Sequence, residues 1–585
     1  MSELLLVASA LRRMSDEKLQ TLITQRMVNS QSLVDFFDLA EALTKPTSIS
    51  AAIAGLPLSQ ATELRSLAVG NKPNAKVATE LANQMLVSGE PEFKPFESTL
   101  EALAGFAKLE TIVSVDLSES LAPEQAQIDR DSGIEIFETM QAITELIFDL
   151  EHRFVREVGK KNVGLPDIKR FATHLRKSNE YAKQIYELAH LTHVITLANG
   201  RWQLSAKSKD WLIWTPGQRF VLLATTWREI LGDASAKELQ TALNLSRSEK
   251  SISLADNLTK TYPFADGSVS SKITKLESLA ELMGLSAKGW MSSWAPKVLK
   301  CDYVAAGKLA EANLPTPQDR IICQADLTLI APGPLPTRVE IMLRRFADTE
   351  QIGMASTYRL SALSISHGLE TGLKLNEIRE LLVQLSGNGV PQPIEYLLNE
   401  AEARFGRLQI IGGEQNERSI IQSTDKFLLA EILNESKLKP FGLTQLEDGV
   451  LASRFEPEVL YFGLREVGFV AIRVDENGNV LSPLEATKQT VDAEQTNNVA
   501  ADITRLRNQD AKLGDTPDDD DLQRQIQLAI KNKARAKFTV TSSTGEIEFL
   551  LEPIGIANGR LRAKDRKADI ERTLPITSII RVVLD

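Results

Sequence analysis

The chain of 585 residues carries a formal charge of −11, with 43% hydrophobic and 25% charged residues. Such a length exceeds one hydrophobic core and implies roughly three to five domains, and no apolar run nears the roughly 18–20 residues that span a bilayer. The net negative charge excludes a protein that coats DNA through its overall field and leaves room only for local basic patches. The amino-terminal LLLVASAL follows Glu3 rather than a basic segment, so a secretory leader is not expected and the reading is a cytoplasmic protein, nucleoid association being compatible with it. Cys301 and Cys323 read as buried free thiols. His190 and His193 have no third ligand at metal spacing, so neither a metal nor a cofactor is expected.

Residues 1–120 read as packed short helices, with or without a winged-helix element. LRRMSDEKLQTLITQRM offers Ser15 as an N-cap and sets Leu19, Leu22, Ile23 and Met27 at helical spacing. Residues 121–215 contain the clearest local pattern, in 160–214. Pro166 opens a helix with Ile168, Phe171 and Leu175 on one face, and Ser178 opens a second with Ala182, Ile185, Tyr186, Leu188 and Ala189 inward. HVITLANGRWQLS then gives two alternating runs joined by Asn199-Gly200, the dipeptide of a type I′ hairpin. Helix, turn, helix and hairpin in this order predict a winged helix. Between Lys160 and Lys177 six bases face one acid, a basic patch within an acidic chain.

Residues 216–320 read as helical, with Trp227, Trp290 and Trp294 as core aromatics. RIICQADLTLIAPG is predicted as a strand before a helix bearing Val339, Met342, Leu343 and Phe346, within a domain spanning 321–483. In LLVQLSGNGVPQP the glycines follow a helix rather than precede one. Gly387-Asn388-Gly389 is thus a helix–helix corner and not a phosphate loop. From Glu485 to Asp521 ten acids stand against four bases with few large apolar residues, which predicts a disordered linker over 484–521. Residues 522–585 read as a helix followed by short strands in a small, basic barrel.

No motor signature is present. The lysines of Gly159-Lys160 and Gly307-Lys308 lack both the upstream glycine and the following hydroxyl of GxxxxGK[ST], and the Asp-Glu pairs do not continue into a DExH box. GxSxG, HExxH and GxGxxG are also missing, and Ser366-His367-Gly368 has no triad partner at a familiar spacing. The expectation is a protein without enzymatic activity.

Tyr358–Ile411, YRLSALSISHGLETGLKLNEIRELLVQLSGNGVPQPIEYLLNEAEARFGRLQII, with ADLTLIAPGPL upstream, resembles the N-terminal, non-motor domain of XPB-type helicases over roughly 321–445. The whole chain is similar to actinobacterial helicase-associated proteins that keep this domain without the motor. The resemblance implies a small α/β domain linked to DNA damage or duplex recognition and to docking of partner subunits. The order of modules also resembles the clutch subunit that stimulates an XPB motor in the eukaryotic transcription-repair complex. The tail from Leu522 looks like a WYL-type, Sm-like barrel; at its aligned positions, Gly559-Arg560-Leu561, only the leucine is kept.

The fold class expected is therefore multidomain α+β, rich in helix, combining winged helix, XPB-like α/β domain and Sm-like β-barrel. The function expected is that of a DNA-associated accessory factor in repair or transcription, with DNA and a helicase motor or other DNA-processing protein as partners. An interaction scaffold without DNA contact and a WYL-type transcription regulator are the alternatives. Lys169, Arg170, Lys183 and Arg201 are the candidate phosphate contacts. The helix from Ser178 and Asn179 is the candidate for base reading. In the tail, Arg560, Arg562, Lys564 and Arg572 are the candidate anion contacts.

Overall fold

The computed structural model describes residues 3–89, 91–106, 123–153, 155–159, 161–245, 253–387, 389–413, 417–447, 449–481, 497–512, 522, 526, 529–530, 535–542, 545–565 and 570–584. Lys160 and Asn388, most of the helix expected after Leu522, and the linker segments 484–496 and 513–521 lie outside these residues. The chain forms two compact units, one of Met1–Val115, Tyr262–Val269 and Ala493–Asp585, the other of Asp116–Thr261 and Ser270–Asp492.

The first unit begins with seven helices: α1 (Glu3–Arg13), α2 (Asp16–Gln25), α3 (Phe36–Thr44), α4 (Pro46–Ala54), α5 (Leu58–Ala68), α6 (Ala75–Asn83) and α7 (Glu97–Ala104). Capping fixes their starts: Ser15 Oγ accepts from the Lys18 amide, and Asp35 Oδ1 accepts from the Phe37 and Asp38 amides at 2.8 and 3.0 Å. Leu11, Leu19, Leu22, Ile23, Phe36 and Leu39 form one core, and the partners of α4 to α6 form a second. Met27, placed on the α2 face by its spacing, lies beyond the helix with φ 51° and is 85% exposed. Arg26 explains the break. Its guanidinium donates to the Leu43 and Gln84 carbonyls at 2.6 and 2.8 Å and turns the chain away from the helix axis.

The second unit is organised on α8 (Gln125–His152), 28 residues long. Next come β1 (Val155–Val158), β2 (Asn162–Val163), α9 (Leu165–Leu175), α10 (Asn179–Leu191), β3 (Ile195–Ala198) and β4 (Arg201–Leu204), in an antiparallel sheet of order β2-β1-β4-β3. Asn199 and Gly200 have φ of 53° and 69°, the type I′ geometry the dipeptide predicts. His193 has φ 58° beyond the end of α10, so it shares no helix face with His190. Helices α11 (Ala206–Ile213), α12 (Pro216–Leu231), α13 (Asp233–Leu245), α14 (Leu254–Thr261) and α15 (Gly267–Leu282) follow. A hairpin of β5 (Ser286–Ala287) and β6 (Trp290–Met291) leads to α16 (Ala295–Leu299) and α17 (Tyr303–Ala312). Trp227 and Trp294 are core, whereas Trp290 is half-buried. Cys301 is exposed, with φ 59° in the turn between α16 and α17; the expectation of two buried thiols fails because a left-handed turn presents its side chain outward.

The run RIICQADLTLIAPG is not one strand but a hairpin, β7 (Ile322–Cys323) and β8 (Thr328–Ala331). Leu327 at φ 72° makes the turn, and Asp326 Oδ1 accepts from the Thr328 amide at 3.1 Å to hold it. Then come α18 (Thr337–Phe346), β9 (Asp348–Gln351), β10 (Ser356–Arg359), α19 (Ala362–Glu370), α20 (Leu375–Leu385) and α21 (Gln392–Arg404), with an antiparallel sheet of order β7-β8-β10-β9. Leu329, Leu343, Phe346, Tyr358, Ile365, Leu382 and Leu398 build its core. Ser366-His367-Gly368 is part of this packing. A Cβ on Gly368 would stand 2.8 Å from Phe346 Cβ, so glycine is what lets α18 and α19 approach. Gly389 at φ 80° makes the corner between α20 and α21.

β11 (Leu408–Gly412), β12 (Ser419–Ser423), α22 (Lys426–Asn434), β13 (Thr444–Glu447), β14 (Val450–Ser453), α23 (Pro457–Val467) and β15 (Ile472–Arg473) complete the unit. Their sheet has order β13-β14-β12-β11-β15, and only β11–β15 is parallel.

The first unit resumes with α24 (Asn497–Lys512), inside the stretch expected to be a disordered linker. The acidic composition concealed an apolar row: Ile503 and Leu506 are 1% and 0% exposed in the core of α1 to α3, with Val499 packed beside them. β16 (Ala536–Ser542), β17 (Gly545–Ala557), β18 (Arg560–Asp565), β19 (Ile570–Pro575) and β20 (Ile579–Leu584) form an antiparallel sheet of order β19-β18-β17-β16-β20. β17 pairs with β16 through one half and with β18 through the other, and its register shifts between Pro553 and Gly555. The expected closed barrel is not formed: among the described residues β19 and β20 remain unpaired edges, because this bend redirects the ladder without joining its ends.

Candidate nucleic-acid interface

Two regions carry the predicted contacts. In the first, α9 and α10 are held by α8, whose acids Glu138, Glu145 and Asp149 lie on one face at spacings of seven and four. Lys169 and Lys183 are exposed. Arg170 is committed elsewhere: Nη1 and Nη2 donate to the Asp149 carboxylate at 2.6 and 2.8 Å, a bidentate pair that holds α9 on α8. Lys177 pairs with Glu138 at 2.6 Å, and Arg176 donates to Gln351 Oε1 at 2.8 Å. Arg201 donates to Glu458 Oε2 of α23 at 2.8 Å. Arg170, Arg176 and Lys177, three of the six bases between Lys160 and Lys177, are therefore engaged within the protein, as is Arg201.

Ser178 is the N-cap of α10 and accepts from the Tyr181 amide at 3.1 Å; Asn179, the first helical residue, is exposed. Further along, Gln184 donates to Ser278 Oγ at 2.8 Å and Glu187 pairs with Lys275, so α10 is engaged by α15. A cleft of about 430 Å³ opens here between α8, α10, α15 and β5, with the carboxylates of Asp131, Glu135 and Glu281 in its wall. Burial, Glu138, Glu281 and Asp131 raise the Glu135 carboxyl above its usual range. Three carboxylates against Lys288, which pairs with Asp131 at 3.0 Å, leave the cleft wall with an excess of acid, which opposes phosphate.

In the second region, Arg560, Arg562 and Lys564 lie at alternate positions along β18, all exposed, while Leu561 and Ala563 point inward. Arg562 pairs with Glu571 across the strands at 2.9 Å. Arg572 pairs with Asp565 at 2.9 Å and lies over the Phe549 ring at 4.9 Å. Arg560, exposed beside the Asn558-Gly559 turn, begins the stripe. The two groups of candidates belong to different units.

Sequence reasoning missed a buried charge cluster joining α8, α9 and α18. Arg344, its side chain 1% exposed, donates through Nε and Nη2 to Glu340 Oε1 at 2.9 and 2.7 Å, through Nη2 to Gln141 Oε1 at 2.6 Å, and through Nη1 to Glu145. His174 Nε2 lies 2.6 Å from the other Glu145 oxygen. Burial disfavours the Glu145 anion, but Arg344 and then His174 pull its carboxyl below the usual range. Burial also opposes the His174 cation; Glu145 and Asp149 overcome it and hold the imidazole above its ordinary value. A second cluster joins α19 to α23: Tyr461 Oη and Arg465 Nη1 donate to Glu370 at 2.7 and 2.8 Å. Acids inside the apolar run EIFETMQAITELIFDLEH were the available signal, since a buried carboxylate demands a partner.

Residues 321–447 match the family model described as the helicase conserved C-terminal domain. The chain is 26% identical over 131 residues to the DNA 3′-5′ helicase XPB of Mycobacterium tuberculosis, covering 22% of this chain and 24% of that protein. It is 28% identical over 155 residues to the DNA 3′-5′ helicase XPB of Kineococcus radiotolerans, covering 26% and 28%. The chain thus spans about a quarter of the length of these relatives. Residues 321–447 form a helicase-related domain, on the same segment whose sequence resembles XPB. Among the described residues no helix is long and apolar enough to cross a membrane.

Proposed function

We propose that the protein is a DNA-associated accessory factor in which a helicase-related domain serves docking or duplex recognition and is not a motor. The observation that carries this reading is the construction of the matched segment. Its first sheet, β7-β8-β10-β9, is antiparallel throughout, and its conspicuous glycines, Gly387 and Gly389, lie between α20 and α21, so that a helix and not a strand runs into them. A nucleotide motor binds phosphate at the carboxyl end of a strand in a glycine loop opening a helix. Neither the sheet nor the loop supplies that here. The placement of this domain as the XPB N-terminal one is part of the same proposal, as are the roles in repair or transcription.

The α8–α9–α10–β3–β4 arrangement, with β1 paired to β4, supports a winged helix turned toward protein. The antiparallel sheet of the tail, with the exposed bases of its β18 stripe, supports the tail as the DNA contact. Fluorescence anisotropy of labelled duplex and single strand across salt, alongside ATP turnover, tests the proposal. Salt-dependent binding without turnover is expected, and R560E/R562E should flatten the salt slope by about two contacts. Absence of binding near about 50 mM salt would end the DNA reading. DNA-stimulated ATP hydrolysis would end the non-motor reading.

A further inference from the structure

Helix α24 reaches α1, α2, α3 and the turn Ser30–Ser32 from more than 470 residues away in sequence, and the contacts are specific. Ile503 and Leu506, three apart, fill the groove. Arg505 Nη2 donates to the Ser30 and Leu33 carbonyls at 3.0 and 3.2 Å. Arg507 donates to the Arg12 and Met14 carbonyls at the end of α1 and to Asp16 Oδ1 at 3.1 Å, with its guanidinium 5.2 Å from the Phe36 ring centre. Ser30 Oγ donates to Asp502 at 2.7 Å and Arg12 pairs with Asp510 at 2.9 Å. Two arginines thus bind main-chain carbonyls at the end of α1 and around the turn Ser30–Ser32.

Such recognition uses main-chain oxygens, two apolar sockets and the side chains of Arg12, Asp16 and Ser30. It demands only a helix with two apolar residues three apart, arginines beside the second, and acids at its flanks. Residues 482–496 and 513–521, on either side of α24, are polar in sequence, and neither holds an apolar row of this kind.

We propose that the groove of α1, α2 and α3 is a helix-docking site, that α24 is its intramolecular occupant, and that a partner helix with this apolar and arginine pattern binds there when α24 leaves. A tethered occupant has an effective concentration on the order of mM, so a free helix at µM concentration competes poorly until the tethered one is displaced.

The test uses the full chain and a fluorescently labelled peptide of residues 497–512. L506D/R507E should empty the groove and raise the apparent affinity for the peptide by at least about tenfold over the unaltered chain. A peptide carrying the same two changes should bind neither protein. A second arm keeps α24 unaltered and places protease sites within 482–496 and 513–521. After cleavage the labelled peptide should exchange into the groove while amide protection of α1 to α3 persists. Loss of that protection with no peptide binding, in either arm, would overturn the proposal and make α24 an integral part of the helical core. Exchange of α24 between two copies, seen as a dimer of the unaltered chain, would overturn its intramolecular assignment.

Discussion

Arg344 and Arg562 each face a carboxylate at ordinary pairing distance, yet they sit in opposite surroundings. The Arg344 side chain is 1% exposed among Glu340, Glu145 and Gln141, whereas Arg562 and Glu571 are 59% and 55% exposed on the tail sheet. In water an ion pair gains little, because solvent already stabilises both ions. In a protein interior each ion has lost its hydration, so its partners are obligatory. Paired charge inside a domain is therefore a joint between elements, and paired charge on a sheet surface stays available to another anion. The α8–α9–α18 cluster joins the α9–α10 segment to the helicase-related domain, while the Arg562–Glu571 pair of the β18 stripe lies in solvent.

The sharpest test of this contrast is removal of one buried ion. R344M takes the arginine from Glu340 and leaves Glu145 with His174, and it should destabilise the protein by about 3–5 kcal/mol, read from the midpoint of urea unfolding of the second unit. Replacing Arg344, Glu145 and Glu340 together by apolar residues of similar size should recover most of that loss. E370Q, which weakens the bonds from Tyr461 and Arg465, should cost about 1–3 kcal/mol by the same measurement. An unchanged midpoint in either variant would break the comparison.

The histidines give a pH test of opposite signs. His174 titrates above its ordinary value, so its contribution is complete below about pH 6.5 and is lost as pH rises through the raised value. His367 is pushed down to about 3 by burial, with Arg465 and Arg345 adding to the effect. Its contribution is present above about pH 6.5 and fades as pH falls toward that value. H174Q should cost about 1 kcal/mol at pH 6 and less at pH 9, measured by thermal unfolding across pH. The smallest effect is expected from R562A, below about 1 kcal/mol and shrinking with salt, although the same change should weaken duplex binding.

Legibility in the sequence followed the reach of each interaction. The α9–α10 pair, the Asn199-Gly200 hairpin and the corner at Gly389 were readable because their causes lie within a few residues: a proline, a serine cap, a positive φ. The β7–β8 turn was hidden because Leu327, not glycine, takes the left-handed position. Arg170 and Arg201 looked like phosphate contacts because residue type declares charge but not what faces it; Asp149 and Glu458 come from other helices. Arg344 and Glu145 are 199 residues apart, and no local pattern relates them. α24 was misjudged because net acidity outweighed an apolar row that occupies only one face.

The docking of α24 has a consequence for synthesis. Ser30 and its partner Asp502 are separated by 472 residues. At about 5–20 residues per second, α1 to α3 emerge roughly 25–100 s before the helix that completes them. Through that interval α1 to α3 hold two unfilled apolar sockets against solvent or a chaperone, and their core closes only after the chain between them and α24 has been made.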